Sequence, residues 1–233
     1  MRKLKIGNWK KHGFEFLSIF IAVISAFALN NWNDNRRDNN SENKILTEIA
    51  NGFEKDIDDI RLNQLGHKEG ISACVYFRAL LADKNVNKDS VMIHYFNLTR
   101  DFISIQNVAG YETLKSQGLE LIKNDSLRLQ IISLYEYDYT TLKKLEEEYS
   151  ELQFQESYFK EINNELAPNF QFNNDGNITG INLPLNISDD KRKIILLYLW
   201  KIQTNRVFIL NFYTDIESKI NKVSRNITAE KKR

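Results

Sequence analysis

A nearly uninterrupted apolar run near the start of the chain, FEFLSIFIAVISAFALNNW at positions 14–32, restricts what the chain can fold into. Between Phe16 and Leu29 the only polar residues are Ser18 and Ser25. As a helix, the run would rise about 28 Å, which matches the hydrocarbon thickness of a bilayer. It therefore predicts a transmembrane helix over residues 14–32, and Trp32 would lie at the membrane interface.

The anchor residues of this helix are the large apolar side chains that would face lipid. They are Phe16, Leu17, Ile19, Phe20, Ile21, Val23, Ile24, Phe27, Leu29 and Trp32.

Two other interpretations of the run are weighed. A cleaved signal peptide also has a basic start and an apolar centre, and Ala26-Phe27-Ala28 resembles a cleavage site before Leu29. However, the apolar pattern continues through that site and no turn-forming residue precedes it. A buried core helix is disfavoured because the run has too few polar residues to mark an exposed face. The retained anchor is the preferred interpretation.

The flanking charges predict the orientation. Five basic residues precede the run (Arg2, Lys3, Lys5, Lys10 and Lys11), and three follow it up to position 44 (Arg36, Arg37 and Lys44). Cytoplasmic flanks carry the excess of Lys and Arg, so the N-terminus is expected in the cytoplasm of a bacterial cell and the C-terminal domain in the periplasm. The expected layout is a basic tail at 1–13, the span at 14–32, a polar connector at 33–44, and an exported domain at 45–230 with a loop at 165–189.

Beyond the span, apolar residues recur at helical spacing. The pattern predicts a helix from Ile45, a break between Gly66 and Gly70, one long helix from about Asp125 to Asn164, and a last helix from Asp189 or Asp190. The fold class is therefore all-α: one N-terminal transmembrane helix followed by an elongated antiparallel helical bundle.

The two longest predicted helices carry matching apolar stripes, which are expected to pack against each other. The predicted helix-packing interface consists of Leu142, Leu145, Tyr149 and Leu152 on one helix, and Ile202, Ile209, Phe212 and Ile216 on the other. Asp138, Glu156 and Asn205 interrupt the stripes. Buried polar groups cost free energy unless they are paired, so these three either face solvent or set the register between helices.

The sequence indicates no catalytic or metal site and no cofactor. His67, Glu69, Cys74 and His94 are the candidate ligands, but their spacing matches no metal-binding pattern, and His67 is expected to face solvent in a glycine-flanked turn. The acidic runs that contain Asp56 and Glu146 are interpreted as solvated helix faces, since consecutive helical residues point in different directions. The tyrosines and phenylalanines of residues 135–159 are interpreted as core. The chain is therefore not expected to be an enzyme.

The charge balance excludes a dedicated nucleic-acid binder. With 32 basic and 31 acidic residues, the formal net charge is +1. Proteins that bind nucleic acid usually carry a strongly basic face. The expected partners are instead the lipid bilayer, and a second copy of the chain or another envelope protein.

Three segments of the chain resemble a family of uncharacterised single-pass membrane proteins of Bacteroidota. They are FLSIFIAVISAFALNNWNDNRR (16–37), SENKILTEI (41–49) and GYETLKSQGLELIKNDSLR (110–128). In that family the span typically ends in Asn-Asn-Trp-Asn-Glu, where this chain has Asp34. The family also shows a stretch like Tyr/Phe-Glu-x-Leu-Lys-x-Ser-Gly, which residues Tyr111–Gly118 match with one residue inserted. At the start of the span, where members often carry Gly-Glu, this chain has Phe14-Glu15. The resemblance implies a retained anchor and implies no activity.

These observations lead to two functional expectations. The first is a membrane-anchored interaction or scaffold module exposed to the periplasm. The second is a periplasmic small-molecule sensor that signals through a partner protein.

Overall fold

The computed structural model describes residues 7–232, of which most are helical: the chain is 81% helix and 3% strand. An all-α fold class is thus confirmed. Arg2, Lys3 and Lys5, on which the predicted orientation partly depends, lie outside the described residues, as do the side chains of Lys10 and Lys11. The helices are α1 (Gly7–Leu81), α2 (Val91–Thr99), α3 (Ala109–Gln117), α4 (Asp125–Ile132), α5 (Thr140–Glu148), α6 (Phe154–Ser157), α7 (Phe159–Leu166) and α8 (Asp189–Glu230).

Helix α1 is continuous over 75 residues, and it includes the apolar run, the polar connector at 33–44 and the first part of the domain. Local side-chain contacts within the connector support the helical conformation. Asn30 Nδ2 donates to Asp34 Oδ2 at 3.0 Å, and Arg37 pairs with Asp34 at 3.7 Å. From Ile45 onward one apolar face of α1 is buried, whereas Leu62, Leu65 and Val75 lie on its exposed side. One helix therefore joins the apolar run directly to the core.

The predicted break between Gly66 and Gly70 is wrong, because both glycines lie inside α1. They are needed for close packing. A Cβ atom on Gly66 would lie 2.0 Å from the ring of Phe102, and one on Gly70 would lie 2.5 Å from the guanidinium carbon of Arg206. Each glycine thus lets a bulky side chain rest directly on the helix backbone.

Helix α8 packs mainly against α1 and runs antiparallel to it. Three contacts define the register: Arg78 donates to Gln203, Arg61 Nη2 lies 2.8 Å from Glu217 Oε1, and Lys231 Nζ donates to Thr47 Oγ1 at 2.7 Å. The chain therefore returns toward the level of Thr47 at the end of α8. The expected main partner of α8, the segment 125–164, makes fewer contacts with it than α1 does.

The segment 125–164 is not one helix. Asn124 caps α4, since its Oδ1 accepts from Leu127 N at 3.1 Å. A π-helical stretch, Ser133–Tyr139, follows, and the chain leaves the helical conformation at Tyr149 and again at Gln153. Gln153 Nε2 donates to the Glu146 carbonyl at 2.6 Å, so a side chain satisfies a carbonyl that the interrupted helix would otherwise leave unpaired.

The loop at 165–189 contains a small hairpin, as the Asn174-Asp175-Gly176 turn predicts. Strands β1 (Phe170–Phe172) and β2 (Ile178–Ile181) pair antiparallel, with Phe170 opposite Ile181. Gly176 has a φ of 81° in the turn.

Substituting Gly66 by Ala tests the contact between α1 and Phe102. Alanine favours the helix intrinsically, but its Cβ would overlap the phenyl ring. We expect Gly66→Ala to lower the free energy of unfolding by about 1–3 kcal/mol, measured by denaturant titration of the purified chain in detergent. The same substitution in a Phe102→Ala background is the control and should cost far less. Equal costs in the two backgrounds would contradict the packing described here.

Candidate functional site

The apolar run lies on the outside of the structure. All ten predicted anchor side chains are exposed, by 48% to 70%, and no residue of the most apolar part of the run is buried. Within residues 7–232, the N-terminal part of α1 is the one helical stretch that is long and apolar enough to cross a membrane.

A second feature is the segment that crosses α1 between α2 and α3, residues 100–108, here named the strap. It contains neither helix nor strand. Three carboxylates accept its backbone N–H groups: Glu146 accepts from Ser104 N at 3.2 Å, Asp59 from Ile105 N at 2.9 Å, and Asp56 from Asn107 N at 2.6 Å. Side chains from α1 and α5 thus replace the hydrogen bonds that regular secondary structure would supply.

Glu146 joins the strap to α8, and only 5% of the residue is exposed. Besides the Ser104 N–H, it accepts from Ser104 Oγ at 3.0 Å and from the Tyr213 hydroxyl on α8. Burial raises the pKa of Glu146 to about 7, and the hydrogen bonds from Tyr213 and Ser104 oppose that rise. The group is therefore poised to change charge near neutral pH.

Asp56 holds the other end of the strap and connects it to the π-helical stretch. Its Oδ2 accepts from the Tyr139 hydroxyl at 2.7 Å, and burial raises its pKa while the hydrogen bonds from Tyr139 and Asn107 lower it. Tyr135 stacks on Tyr111 with ring centroids 4.4 Å apart. π-Helical stretches are often found at functional sites, and this one directs Tyr139 towards Asp56.

Arg206 on α8 is fully buried and contacts α1, α2 and the strap. Its Nη2 donates to the carbonyls of Leu98 (3.1 Å) and Arg100 (2.8 Å), and its Nη1 lies 3.2 Å from His67 Nδ1. Burial lowers the pKa of Arg206 to about 10, so the group stays charged near neutral pH. Its guanidinium also lies over the ring of Phe154, 4.8 Å from the centroid.

The same arginine fixes the state of His67. Because a guanidinium has no acceptor, His67 Nδ1 must accept from it, and the ring proton resides on Nε2. Burial, followed by the charge of Arg206, lowers the pKa of His67 to about 3, so the imidazole is neutral. His67 is 4% exposed, and no hydrogen-bond partner for its Nε2 is found among the described residues.

A cavity of about 30 Å³ lies beside these groups. His67, Glu146, Asp101 and Gln153 provide its polar lining, together with apolar residues such as Phe102. Since a water needs roughly 10–15 Å³ of such space, the cavity has room for one or two water molecules. We name the set His67, Asp101, Ser104, Glu146, Arg206 and Tyr213 the polar centre.

Asp56 and members of the polar centre contradict the sequence-based interpretation. Asp56 and Glu146 are buried rather than on solvated helix faces, and His67 lies inside α1 rather than in an exposed turn. Arg206 was not anticipated as a core residue. The one available signal was its spacing of four from Ile202 and three from Ile209.

The predicted helix-packing residues are mostly, but not all, in the core. Leu142, Leu152, Ile202, Ile209 and Ile216 are buried, and Leu145 and Phe212 are partly buried. Tyr149 is 43% exposed, because the chain turns there at the end of α5.

The polar stripe residues differ in their environments. Asp138 is buried and receives a hydrogen bond from Lys219 at 2.8 Å. Asn205 donates to the Glu151 carbonyl at 3.0 Å. Glu156 is exposed. Asp138 and Asn205 therefore link α8 to the segment 125–164, whereas Glu156 faces solvent.

The candidate metal ligands do not converge. Cys74 is buried, and burial raises the pKa of its thiol to about 11, whereas Glu69 is exposed and the His94 ring stacks on Tyr76 at 4.1 Å. Within the described part of the chain, no group of three or more His, Cys, Asp or Glu side chains could hold a metal ion.

Comparisons with protein-family models, with curated proteins and with solved structures gave no significant match.

Substituting His67 by Gln tests whether the imidazole is neutral in the fold. The folded-state pKa is depressed, so the contribution of His67 to stability is present above pH 6.5 and is lost as the pH falls toward 3. Over that interval, we expect the wild type to lose roughly 3–5 kcal/mol of unfolding free energy relative to His67→Gln. Glu146 is common to both proteins, so its titration cancels in the difference. Parallel pH profiles of unfolding, measured by denaturant titration, would contradict a neutral buried His67.

Proposed function

We propose that the protein is a single-pass membrane protein whose helical domain is an anchored interaction module. The observation that carries the proposal is the continuity of α1. Its apolar side chains are exposed along the run at 14–32, and without a break the same helix becomes part of the buried core from Ile45 onward. Exposure of so many large apolar side chains is unfavourable in water and favourable in lipid. A helix is also a structure that satisfies its own backbone in a bilayer.

The continuity of α1 also favours a retained anchor over a cleaved signal peptide. The helix passes through Ala28 and Leu29 with no turn or bend that would present the bond to a peptidase. The larger number of Lys and Arg residues before the run than after it supports a cytoplasmic N-terminus. The domain, an elongated helical bundle built on α1 and α8, is then periplasmic, at the outer face of a bacterial inner membrane.

The outer side of α8 provides a surface for interaction. Leu197, Trp200 and Val207 recur at helical spacing on the side opposite the core and are 52%, 57% and 44% exposed. The neighbouring Leu196 and Phe208 extend the apolar patch. Exposed apolar patches of this kind mark sites where proteins bind one another.

The patch lies far from the membrane in this arrangement. Gln203, at its centre, contacts Arg78 on α1, which is 46 residues beyond Trp32. At 1.5 Å per residue, α1 would hold the patch about 70 Å from the interface. A rigid helix that presents an apolar surface at this distance suits a scaffold that engages a second copy or another envelope protein.

The size of the cavities favours the interaction module over a sensor of small molecules. Sites for metabolites usually have volumes of about 300–1,000 Å³. The cavity of the polar centre has about 30 Å³, and the surface depression between α1 and α3 has about 240 Å³.

Photo-cross-linking at Trp200 in intact cells tests the proposal. A cross-linking amino acid at position 200 should give an adduct with a second copy of the chain or with one defined envelope protein, because the patch is covered in the assembly. The matched control is Lys222, an exposed polar position on the same helix, which should give little adduct. In a second experiment the cross-linking amino acid is placed at position 208 and Trp200→Glu is added. The substitution should reduce the amount of adduct at least several-fold without changing the melting temperature of the protein. Equal labelling at positions 200 and 222 would contradict the proposal.

A further inference from the structure

Glu146 is a buried carboxylate without a cationic partner. Among the described residues, no Lys, Arg or His nitrogen forms an ion pair with it, although it accepts hydrogen bonds from Ser104 and Tyr213. A buried anion that is stabilised only by neutral donors costs free energy, and adding a proton removes that cost.

The charged and titratable groups around Glu146 come from three elements. From α1, Asp59 adds negative charge near the carboxylate, and neutral His67 shares the cavity. From the strap, Asp101 lines the same cavity, and from α8 the Tyr213 hydroxyl donates directly. The guanidinium of Arg206 is directed away, toward His67 and the carbonyls of Leu98 and Arg100. None of these contacts neutralises a charge on Glu146.

The cavity gives protons a route to this carboxylate. Its lining includes Asp101, a residue exposed to solvent, together with Glu146 and His67, whose Nε2–H has no hydrogen-bond partner among the described residues. Its volume of about 30 Å³ accommodates one or two waters that can pass a proton along hydrogen bonds. A cavity lined both by a residue that reaches solvent and by the buried Glu146 can serve as a path for proton exchange.

We propose that Glu146 is a proton-binding site of the helical domain, and that its occupancy controls how tightly the strap is held on α1. The ligand is the hydrogen ion of the surrounding medium. The proposal goes beyond the interaction module and does not depend on the membrane anchor, because all of the groups involved lie within the domain.

The coupling between proton binding and strap opening follows from the hydration that each protonation state of Glu146 gains when the strap opens. A charged carboxylate gains hydration when Ser104 leaves, whereas a protonated one gains little. Opening is therefore favoured as the pH rises through the folded-state pKa of about 7. Proton binding to Glu146 therefore holds the strap closed, with the Phe102 ring packed against Gly66. Proton release loosens the strap.

Hydrogen–deuterium exchange of the full-length protein in lipid nanodiscs tests this coupling, with Glu146→Gln as the neutral isostere. After correction for intrinsic exchange rates, the opening of the strap amides is compared at pH 6 and pH 8. With midpoints of about 7 when held and 4.5 when solvated, the ratio of strap opening in the wild type to that in Glu146→Gln should rise about tenfold between these pH values. His67 is present in both proteins, so its own titration cancels in this ratio. Amides of α8 that lie away from the strap are the internal reference.

A second measurement keeps the test decisive if the variant folds poorly. The carboxyl carbon of Glu146 in ¹³C-labelled wild type should titrate with a midpoint near 7, about 2.5 units above the ordinary value of 4.5. A midpoint near 4.5, or an exchange ratio that does not change with pH, would overturn the proposal.

Discussion

The continuity of α1 is the constraint from which the rest of the structure follows. A helix satisfies its own backbone hydrogen bonds along its whole length, so the same element can lie in lipid, in water and in a protein core. What changes along α1 is only the side chains: apolar all round at 14–32, polar at 33–44, and apolar on one face from Ile45 onward. The antiparallel return of α8 along this last part provides the main partner for that apolar face.

The strap is held by buried carboxyl and guanidinium side chains rather than by regular secondary structure. A non-helical segment that crosses a helix brings unpaired N–H groups into the interior, and each unpaired group costs about 1–3 kcal/mol. Asp56, Asp59 and Glu146 accept these donors, and Arg206 supplies the complementary donors to the carbonyls of Leu98 and Arg100. The acids thereby lose hydration, which is why burial raises the pKa values of Asp56 and Glu146. The buried acids that accept the N–H groups of the strap therefore also place a titratable group inside the domain.

Apolar periodicity predicts the helices well where it is regular, and it fails where a polar side chain occupies a core position. Ile202, Ile209 and Ile216 define the buried side of α8 correctly. Between these isoleucines, the periodicity predicts that Asn205 and Phe212 lie on the packing face. In the structure the fully buried side chains at this level are instead those of Arg206 and Tyr213. A charged residue is expected outside, and only the partners supplied by α1, α2 and the strap make its burial possible. Likewise, Gly66 and Gly70 suggest a break in the helix when only the sequence is considered. In the structure the helix continues, and the two glycines make room for the side chains of Phe102 and Arg206. Such long-range contacts have no local signal in the sequence.

The intact mass of the chain from carbonate-washed membranes, combined with protease digestion of spheroplasts, tests the membrane anchor most directly. A full-length chain that stays with the membrane and whose domain is digested from outside is expected. The exposed Arg36 and Arg37 just beyond the span are the expected limit of digestion. A soluble species that begins near Leu29 would contradict the anchor, and protection of the domain in intact spheroplasts would contradict its orientation.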